Sequence, residues 1–337
     1  MKLNFAIIGC GTIAKRHALF CSQYGNLAAV CDIKPERAQE LGAQYGAKAY
    51  QFIDELLIKE KKLDIITIAT PNGLHAEHTI KSLKAGIHVL CEKPMAIKSC
   101  DCLKMIDAAE GAGKKIFIVK QNRYNPPVVA IKKAIDEGRL GRILSVHLGC
   151  YWNRNELYYA SSDWRGSREM DGGSLFTQFS HFVDLLFWLI GDIKEVHAFV
   201  DNFIHRNISE IDDAGVVIIK FLSGVLGSIH FTVNSFEKNM EGSLTIFGEN
   251  GTVKIAGRCL NELEFQSIKD YEIKGLAAGN PSNQYGYYEG SMSNHEDVYK
   301  NVIETLQNNG KITTSGFDGM KTVEIIEKIY LKANRSR

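Results

Sequence analysis

The sequence predicts an α/β protein of two domains. The first is an amino-terminal doubly wound parallel sheet, and the second a carboxy-terminal α/β domain built on a large open sheet of mixed or antiparallel strands. Three observations carry that expectation. Short, nearly continuous apolar runs alternate with amphipathic helical segments up to about residue 120, the pattern of a parallel sheet covered on both faces. A glycine-rich turn, GCGTIA, separates the first apolar run from the first helix. Beyond PPVVAIKKAIDEGRLG, which reads as one helix closed by a glycine, the texture changes to longer strands and hairpins. A chain of 337 residues is long enough to bury two cores.

Taken in order, the strand-type runs of the first half are LNFAIIG, LAAVCD, LDIITIAT, HVLCEK and KIFIVK. The intervening helices fall at 12–24, 35–45, 75–85 and 99–112. The second half contains RILSVHLGCYW, EVHAFV, DAGVVIIKF, GVLGSIHFTVN and SLTIFGENGTVKIAG, the last turning at Glu249-Asn250-Gly251. One helix over 171–190 interrupts these strands, and two more, 293–308 and 317–334, close the chain. The expected boundaries are 1–122 and 123–337, with the last helix a candidate to pack back on the first domain. No internal repeat or low-complexity linker is visible.

Lys and Arg number 40 against 39 Asp and Glu, so no electrostatic motive exists for binding nucleic acid or an anionic membrane. The longest apolar stretches, such as LLFWLIG and GVVIIKFL, fall well short of the roughly 20 residues a bilayer span needs. Met1-Lys2-Leu3-Asn4 runs directly into a strand pattern, which leaves no room for a signal peptide and gives the expectation of a soluble, cytoplasmic protein. The eight cysteines form no C-x-x-C pair and no zinc-type spacing with histidine. They are expected to be reduced and mostly buried, Cys91 included, and no metal site is expected.

Gly9, Gly11 and Ala14 form G-x-G-x-x-A at a strand-to-helix turn. The first glycine permits the tight turn, the second lets the backbone approach a pyrophosphate, and the small third residue allows close packing of helix on strand. Asp32 ends the second strand 21 residues beyond Gly11, where a carboxylate meets a ribose 2′-hydroxyl and repels a 2′-phosphate. The expected cofactor is therefore NAD rather than NADP, with Lys34 softening the preference. Thr70-Pro71-Asn72 ends a later strand ahead of a helix carrying His75, and Glu92-Lys93-Pro94 ends the next one, both at the carboxyl edge where such sheets bind ligands. By itself His75 reads first as an exposed or capping histidine of the first helical turn. A desolvated lysine beside a cationic nicotinamide has a lowered pKa, which suits Lys93 to proton transfer and to polarising an oxygen.

Together, G-x-G-x-x-A, T-P-N-x-x-H, E-K-P, QNRYNP and GGSLFTQFSHFVDLLFWLIG resemble the glucose-fructose oxidoreductase, inositol dehydrogenase and MocA family over essentially the whole chain. That resemblance implies a Rossmann domain followed by an α/β domain whose open sheet makes oligomer contacts, as a homotetramer or dimer. It places catalysis on Lys93 and on His181, with Asp184 trailing the histidine. As hydride leaves a sugar carbon, His181 takes the hydroxyl proton and Lys93 stabilises the charge developing on the same oxygen. The correspondence adds Thr12, Ile13, Ile33, Thr70, Asn72, His75, Glu92, Lys93 and Gln121 to the cofactor side, where Trp164 and Arg165 can also reach. Many members carry a carboxylate four residues before the histidine, whereas this chain has Thr177, so proton transfer is expected to rest on His181 and Lys93 alone.

KQNRYNP, WRGSREMDGGSLFTQFSHFVDLLFWL and SNHEDVYKNVIETL are similar to the branch that oxidises C3 of UDP-N-acetylglucosaminuronic acid in the synthesis of surface-polysaccharide (lipopolysaccharide O-antigen) sugars. This likeness implies a nucleotide-sugar substrate and a 3-keto product. The expected substrate shell is Lys93, Asn122, Thr177, Gln178 and His181. Arg154 or Arg165 would meet the uronate, since a planar guanidinium fits a carboxylate. The tyrosine-rich loop 283–299 reads equally as a uracil platform and as an ordinary surface loop. Another sugar or polyol dehydrogenase is the alternative. A non-catalytic NAD-binding regulator is disfavoured by the presence of both Lys93 and His181.

Overall fold

In a computed structural model describing residues 2–334, the chain forms two compact units. One takes residues up to Lys120 together with His295–Val323; the other takes Gln121–Asn294 together with the residues from Glu324 onward.

The first unit runs β1 (Leu3–Ile8), α1 (Ala14–Tyr24), β2 (Gly25–Cys31), α2 (Pro35–Tyr45), β3 (Lys48–Tyr50), α3 (Ile53–Lys59), β4 (Ile65–Ile68), α4 (His75–Lys84), β5 (His88–Cys91), α5 (Ser99–Gly111) and β6 (Ile116–Ile118). Its six strands are parallel in the order β3-β2-β1-β4-β5-β6. Ile65, Ile66, Ile68, Val89, Leu90 and Cys91 expose no surface, which is why β4 and β5 read as unbroken apolar runs rather than alternating ones. The helices start and stop on local chemistry. α2 opens with Pro35 and Glu36 and closes on Gly46 in the left-handed region (φ +67°). Strand order reverses between β1 and β4, so a crevice opens at their carboxyl ends, beside Gly9 and Thr70.

The second unit contains α6 (Pro126–Asp136), β7 (Ile143–Tyr151), α7 (Glu156–Ala160), α8 (Ser174–Thr177), α9 (Ser180–Ile190), β8 (Ile193–Asp201), β9 (Ala214–Phe221), β10 (Leu226–Thr232), β11 (Glu241–Gly248), β12 (Gly251–Ala256), β13 (Glu262–Ile268), β14 (Ser282–Gln284) and β15 (Glu289–Met292). Seven of its strands form a mixed sheet in the order β13-β12-β11-β7-β10-β9-β8, parallel at β7–β10 and antiparallel elsewhere. α9 packs on β7 and α6 on β12. The alternation along β9 buries Val217, Ile219 and Phe221 and turns Val216 and Ile218 outward. Phe199 is paired across from Val216, and with Ile218 and Leu226 it extends an exposed apolar face.

α10 (His295–Gln307) and α11 (Gly316–Asn334) close the chain. α10 packs on α1, and the Thr314 hydroxyl donates to the Ile118 carbonyl at 2.6 Å. The predicted helix over 171–190 is two helices. Gly172 and Gly173 adopt φ of +88° and +136°, so the chain cannot be helical there, and a Cβ on Gly173 would lie 2.3 Å from the Tyr330 hydroxyl. The break at Gln178–Phe179 then sets His181 in the first turn of α9.

Candidate active site

In the first unit, Gly9 has φ +93°, and a Cβ there would sit 2.5 Å from the Ala69 carbonyl oxygen, so only glycine lets the β1 turn lie against the end of β4. Gly11 differs: a Cβ on it would meet nothing within 4 Å. α1 has no side-chain cap, and its Ala14, Arg16 and His17 amides donate back to the Gly11 and Ile13 carbonyls. Asp32 is tied to this turn. Its Oδ2 accepts from the Cys10 amide at 2.7 Å and its Oδ1 from the Lys34 amide at 2.8 Å. An open glycine, an uncapped helix start and an anchored carboxylate fit a dinucleotide. Thr12 is exposed and Ile13 partly so, beside Gly11, while Ile33 is exposed next to Asp32.

Thr70 and Asn72 follow β4, and His75 begins α4. His75 is buried, with Nδ1 2.7 Å from the Pro94 carbonyl and Nε2 2.8 Å from the Thr70 carbonyl. Both ring nitrogens face the chain's own backbone, and the ring clamps the T-P-N and E-K-P turns together. Burial lowers its pKa, against the two carbonyl acceptors, which raise it. Lys93 is half-buried at the end of β5, and its amide donates to Glu92 Oε2 at 3.1 Å. Cys91 is fully buried and its thiol is pushed upward by desolvation, which makes it a packing residue.

In the second unit the QNRYN segment is the hub. Gln121, expected on the cofactor side, places its Nε2 3.0 Å from His181 Nε2. With the amide donating, the imidazole presents Nε2 as acceptor and carries its proton on Nδ1. Arg123 pairs with Asp184 through Nε–Oδ2 at 2.7 Å and Nη2–Oδ1 at 2.8 Å, both groups buried, and its guanidinium lies 5.1 Å from the Trp188 ring centre. Removing one partner of such a pair costs about 3–5 kcal/mol; here the pair fixes α9, and with it His181. Asn122 accepts from the Ser291 hydroxyl and keeps a buried amide nitrogen without a hydrogen-bond partner among the described residues.

Arg154 and Arg165 converge on one aromatic cluster. The Arg154 guanidinium lies 4.9 Å from the ring centre of Trp152, 5.3 Å from that of Tyr158 and 5.0 Å from that of Tyr288. Arg165 lies 4.1 Å from Tyr158, 5.3 Å from Tyr288 and 5.8 Å from Trp164. No carboxylate stands within ion-pair distance of either among the described residues. Arg154 is fully buried and spends its donors internally, on Gln178 Oε1 at 2.6 Å and on Asn153 and Asn239. Gln178 in turn donates to the Tyr158 hydroxyl. These contacts tie Arg154 and Gln178 to the chain's own groups. Arg165 retains a buried Nε without a hydrogen-bond partner among the described residues.

Thr177 brings a carboxylate that its position in the sequence does not announce. Its hydroxyl donates to Asp171 Oδ1, while the Gly166 amide donates to Oδ2 at 3.0 Å. Burial pushes the Asp171 carboxyl up to about 6, against the opposing hydrogen bonds. Asp171 thus places a carboxylate one hydrogen bond behind Thr177. Tyr158, Tyr288 and Asp171 are the residues that sequence reasoning missed, although the tyrosine-rich loop did mark the neighbourhood of Tyr288.

Residues 3–120 match the profile of an oxidoreductase family with an NAD-binding Rossmann fold, and residues 128–254 match the GFO/IDH/MocA C-terminal domain. The WlbA dehydrogenase of Chromobacterium violaceum, solved with NADH and UDP-GlcNAcA, is 36% identical, covering 100% of this chain and 95% of its own, with a TM-score of 0.90. The WlbA dehydrogenase of Bordetella pertussis, solved with the same two ligands, is 34% identical over 100% and 98%, with a TM-score of 0.88. Levoglucosan dehydrogenase of Pseudarthrobacter phenanthrenivorans is 25% identical over 98% of this chain and 96% of its own.

Proposed function

Because the chain belongs to the GFO/IDH/MocA family of NAD-dependent oxidoreductases, we propose that its substrate is an anionic nucleotide sugar, UDP-N-acetylglucosaminuronic acid, oxidised at the C3 hydroxyl. The observation that carries this reading is the Arg165 guanidinium, stacked on Tyr158 and Tyr288 with no carboxylate at ion-pair distance among the described residues. A buried charge costs several kcal/mol unless it is paired. A substrate carboxylate offers that pairing, and Arg165, with its free Nε, is the residue placed to accept it. The chain-long similarity to two dehydrogenases solved with UDP-GlcNAcA supports the same choice.

Bound NAD+ supplies the hydride acceptor, held at Gly9, Gly11 and Asp32. His181 accepts the hydroxyl proton at Nε2, the nitrogen that the Gln121 amide now faces. Lys93 stabilises the negative charge that grows on the same oxygen. Asn122 and Thr177 offer hydrogen bonds to the sugar. Mixing the protein with NAD+ and UDP-N-acetylglucosaminuronic acid should raise absorbance at 340 nm and yield a 3-keto sugar by mass and NMR. No product from this compound, alongside turnover of a neutral sugar, would replace it with the second reading: a neutral-sugar or polyol dehydrogenase, as the levoglucosan and inositol relatives suggest.

The outer face of the second sheet, carrying Phe199, Val216, Ile218 and Leu226, is the proposed surface for self-association into a tetramer or dimer. Sedimentation at micromolar concentration should show a closed oligomer, which Ile218→Lys breaks into smaller species. A wild-type monomer would refute the assignment.

A further inference from the structure

Behind the E-K-P turn, three chain-distant segments bring polar side chains into the core of the first unit. His17 of α1 and His295 of α10 are buried against Glu92. His17 Nε2 lies 2.9 Å from Glu92 Oε1, and His295 Nε2 approaches the same oxygen at 3.4 Å, an ion-pair distance without the alignment of a hydrogen bond. The two rings meet edge to face, 5.5 Å apart. On the far side of His17, Nδ1 lies 2.9 Å from the Tyr299 hydroxyl, which also lies 3.2 Å from Thr67 Oγ1 and 3.3 Å from Cys21 Sγ. The other Glu92 oxygen, Oε2, accepts the Lys93 amide.

We propose that His17, Tyr299 and His295 form a buried positioning network that fixes Lys93 for catalysis by holding Glu92. The polarity of the hydrogen bonds follows from the chemistry of each group. A carboxylate only accepts, so His17 Nε2 carries a proton and donates it to Glu92. In a neutral ring Nδ1 then accepts from the Tyr299 hydroxyl, and Thr67 or Cys21 donates to the tyrosine oxygen. Burial alone would raise the Glu92 carboxyl, but the two histidines outweigh it and hold it well below the usual carboxylate range. Glu92 is thus ionised, and both of its oxygens are engaged. Rotating it would release the Lys93 amide.

The donor set of two histidines and a glutamate, all within 4.8 Å of one another, is also one that a divalent metal accepts. The 2.9 Å separation of His17 from Glu92 is that of a direct hydrogen bond, and it favours the network without an ion.

The groups facing Glu92 are His17 from α1, His295 and Tyr299 from α10, His75 from α4, and Cys91 and Lys93 from its own strand end, with Arg16 acting on His295. The proposal rests on the family's dehydrogenase chemistry and not on the sugar named above. Turnover is therefore read on whichever of UDP-N-acetylglucosaminuronic acid, levoglucosan and myo-inositol the wild type oxidises. His17→Leu should lower kcat at least roughly tenfold with the NAD+ Kd little changed. His17→Gln should recover most of the loss, because its amide can still donate to Glu92.

Glu92→Gln removes a negative charge beside Lys93, so the pH–rate profile should move to lower pH. A 15N titration of the Lys93 amine, assigned with Lys93→Arg and needing no turnover, should fall by roughly half a pH unit or more. Equal kcat in His17→Leu and His17→Gln with only a lower melting temperature, or an unmoved Lys93 titration in Glu92→Gln, would overturn the proposal. Stoichiometric metal in the purified protein would do so as well. Should His17→Leu fail to fold, Tyr299→Phe and Glu92→Gln carry the same test.

Discussion

Lys93→Ala protein should turn over about a thousand-fold more slowly than wild type, and His181→Ala should match it, while both bind NAD+ with nearly unchanged affinity. The magnitude follows from what each group supplies. Removing a positioned proton acceptor, or the cation that stabilises a developing oxyanion, raises the barrier by about 4 kcal/mol. Cofactor affinity should survive because the pyrophosphate and ribose contacts are proposed for the Gly9–Gly11 turn, α1 and Asp32, none of which either substitution touches. Stopped-flow absorbance at 340 nm reads the first quantity and quenching of protein fluorescence by NAD+ the second. Either variant keeping near wild-type turnover would remove that residue from the mechanism. A parallel loss of NAD+ binding would mean that the substitution had disturbed the turn instead. His181 carries the added requirement that Gln121 and the Arg123–Asp184 pair keep α9 in place, so the alanine variant should be compared at equal thermal stability.

Arg165→Gln should cost about 10- to 100-fold in kcat/KM on the uronate substrate, mostly through KM, and much less on UDP-N-acetylglucosamine, which lacks the carboxylate. Arg165 stacks on Tyr158 and Tyr288 but donates only to neutral oxygens, those of Tyr158, Ser161 and Tyr288. The Asp171 carboxylate feels its field, but no carboxylate among the described residues stands at ion-pair distance from it. Glutamine keeps a hydrogen-bond donor while deleting the charge, so the difference between the two substrates isolates the ionic part. Equal losses on both would show that Arg165 merely braces the loop, and the anionic-substrate reading would lose its main physical support. Arg154→Gln is the useful contrast. Arg154 is enclosed and bonded to Gln178, Asn153 and Asn239, so this change should lower stability and affect both substrates alike.

Much of the first unit was legible because its information is local. Gly9 is required by a turn only two residues from Gly11, α2 is bounded by Pro35 and Gly46, and the unbroken apolar runs of β4 and β5 record strands buried on both faces. The misread helix over 171–190 shows where local reasoning stops. Nothing short of the positive φ of Gly172 and Gly173, and the Tyr330 hydroxyl pressed against the second of them, says that the helix cannot begin there.

The sequence by itself determined the α/β character of each unit, the glycine turn with its Asp32, and the position of Lys93 at the end of a strand, because periodicity and short motifs lie between residues close in the chain. Only the tertiary structure decided how those residues are supported. Arg123 meets Asp184 61 residues away, Arg165 reaches Tyr288 across 123, and His17 and Tyr299 are separated by 282. It also gave Thr177 the Asp171 carboxylate and turned His75 onto two carbonyls. The physical reason is that a buried polar group must find its partner wherever packing delivers one, and the linear chain carries no local signal of which distant donor or acceptor that will be.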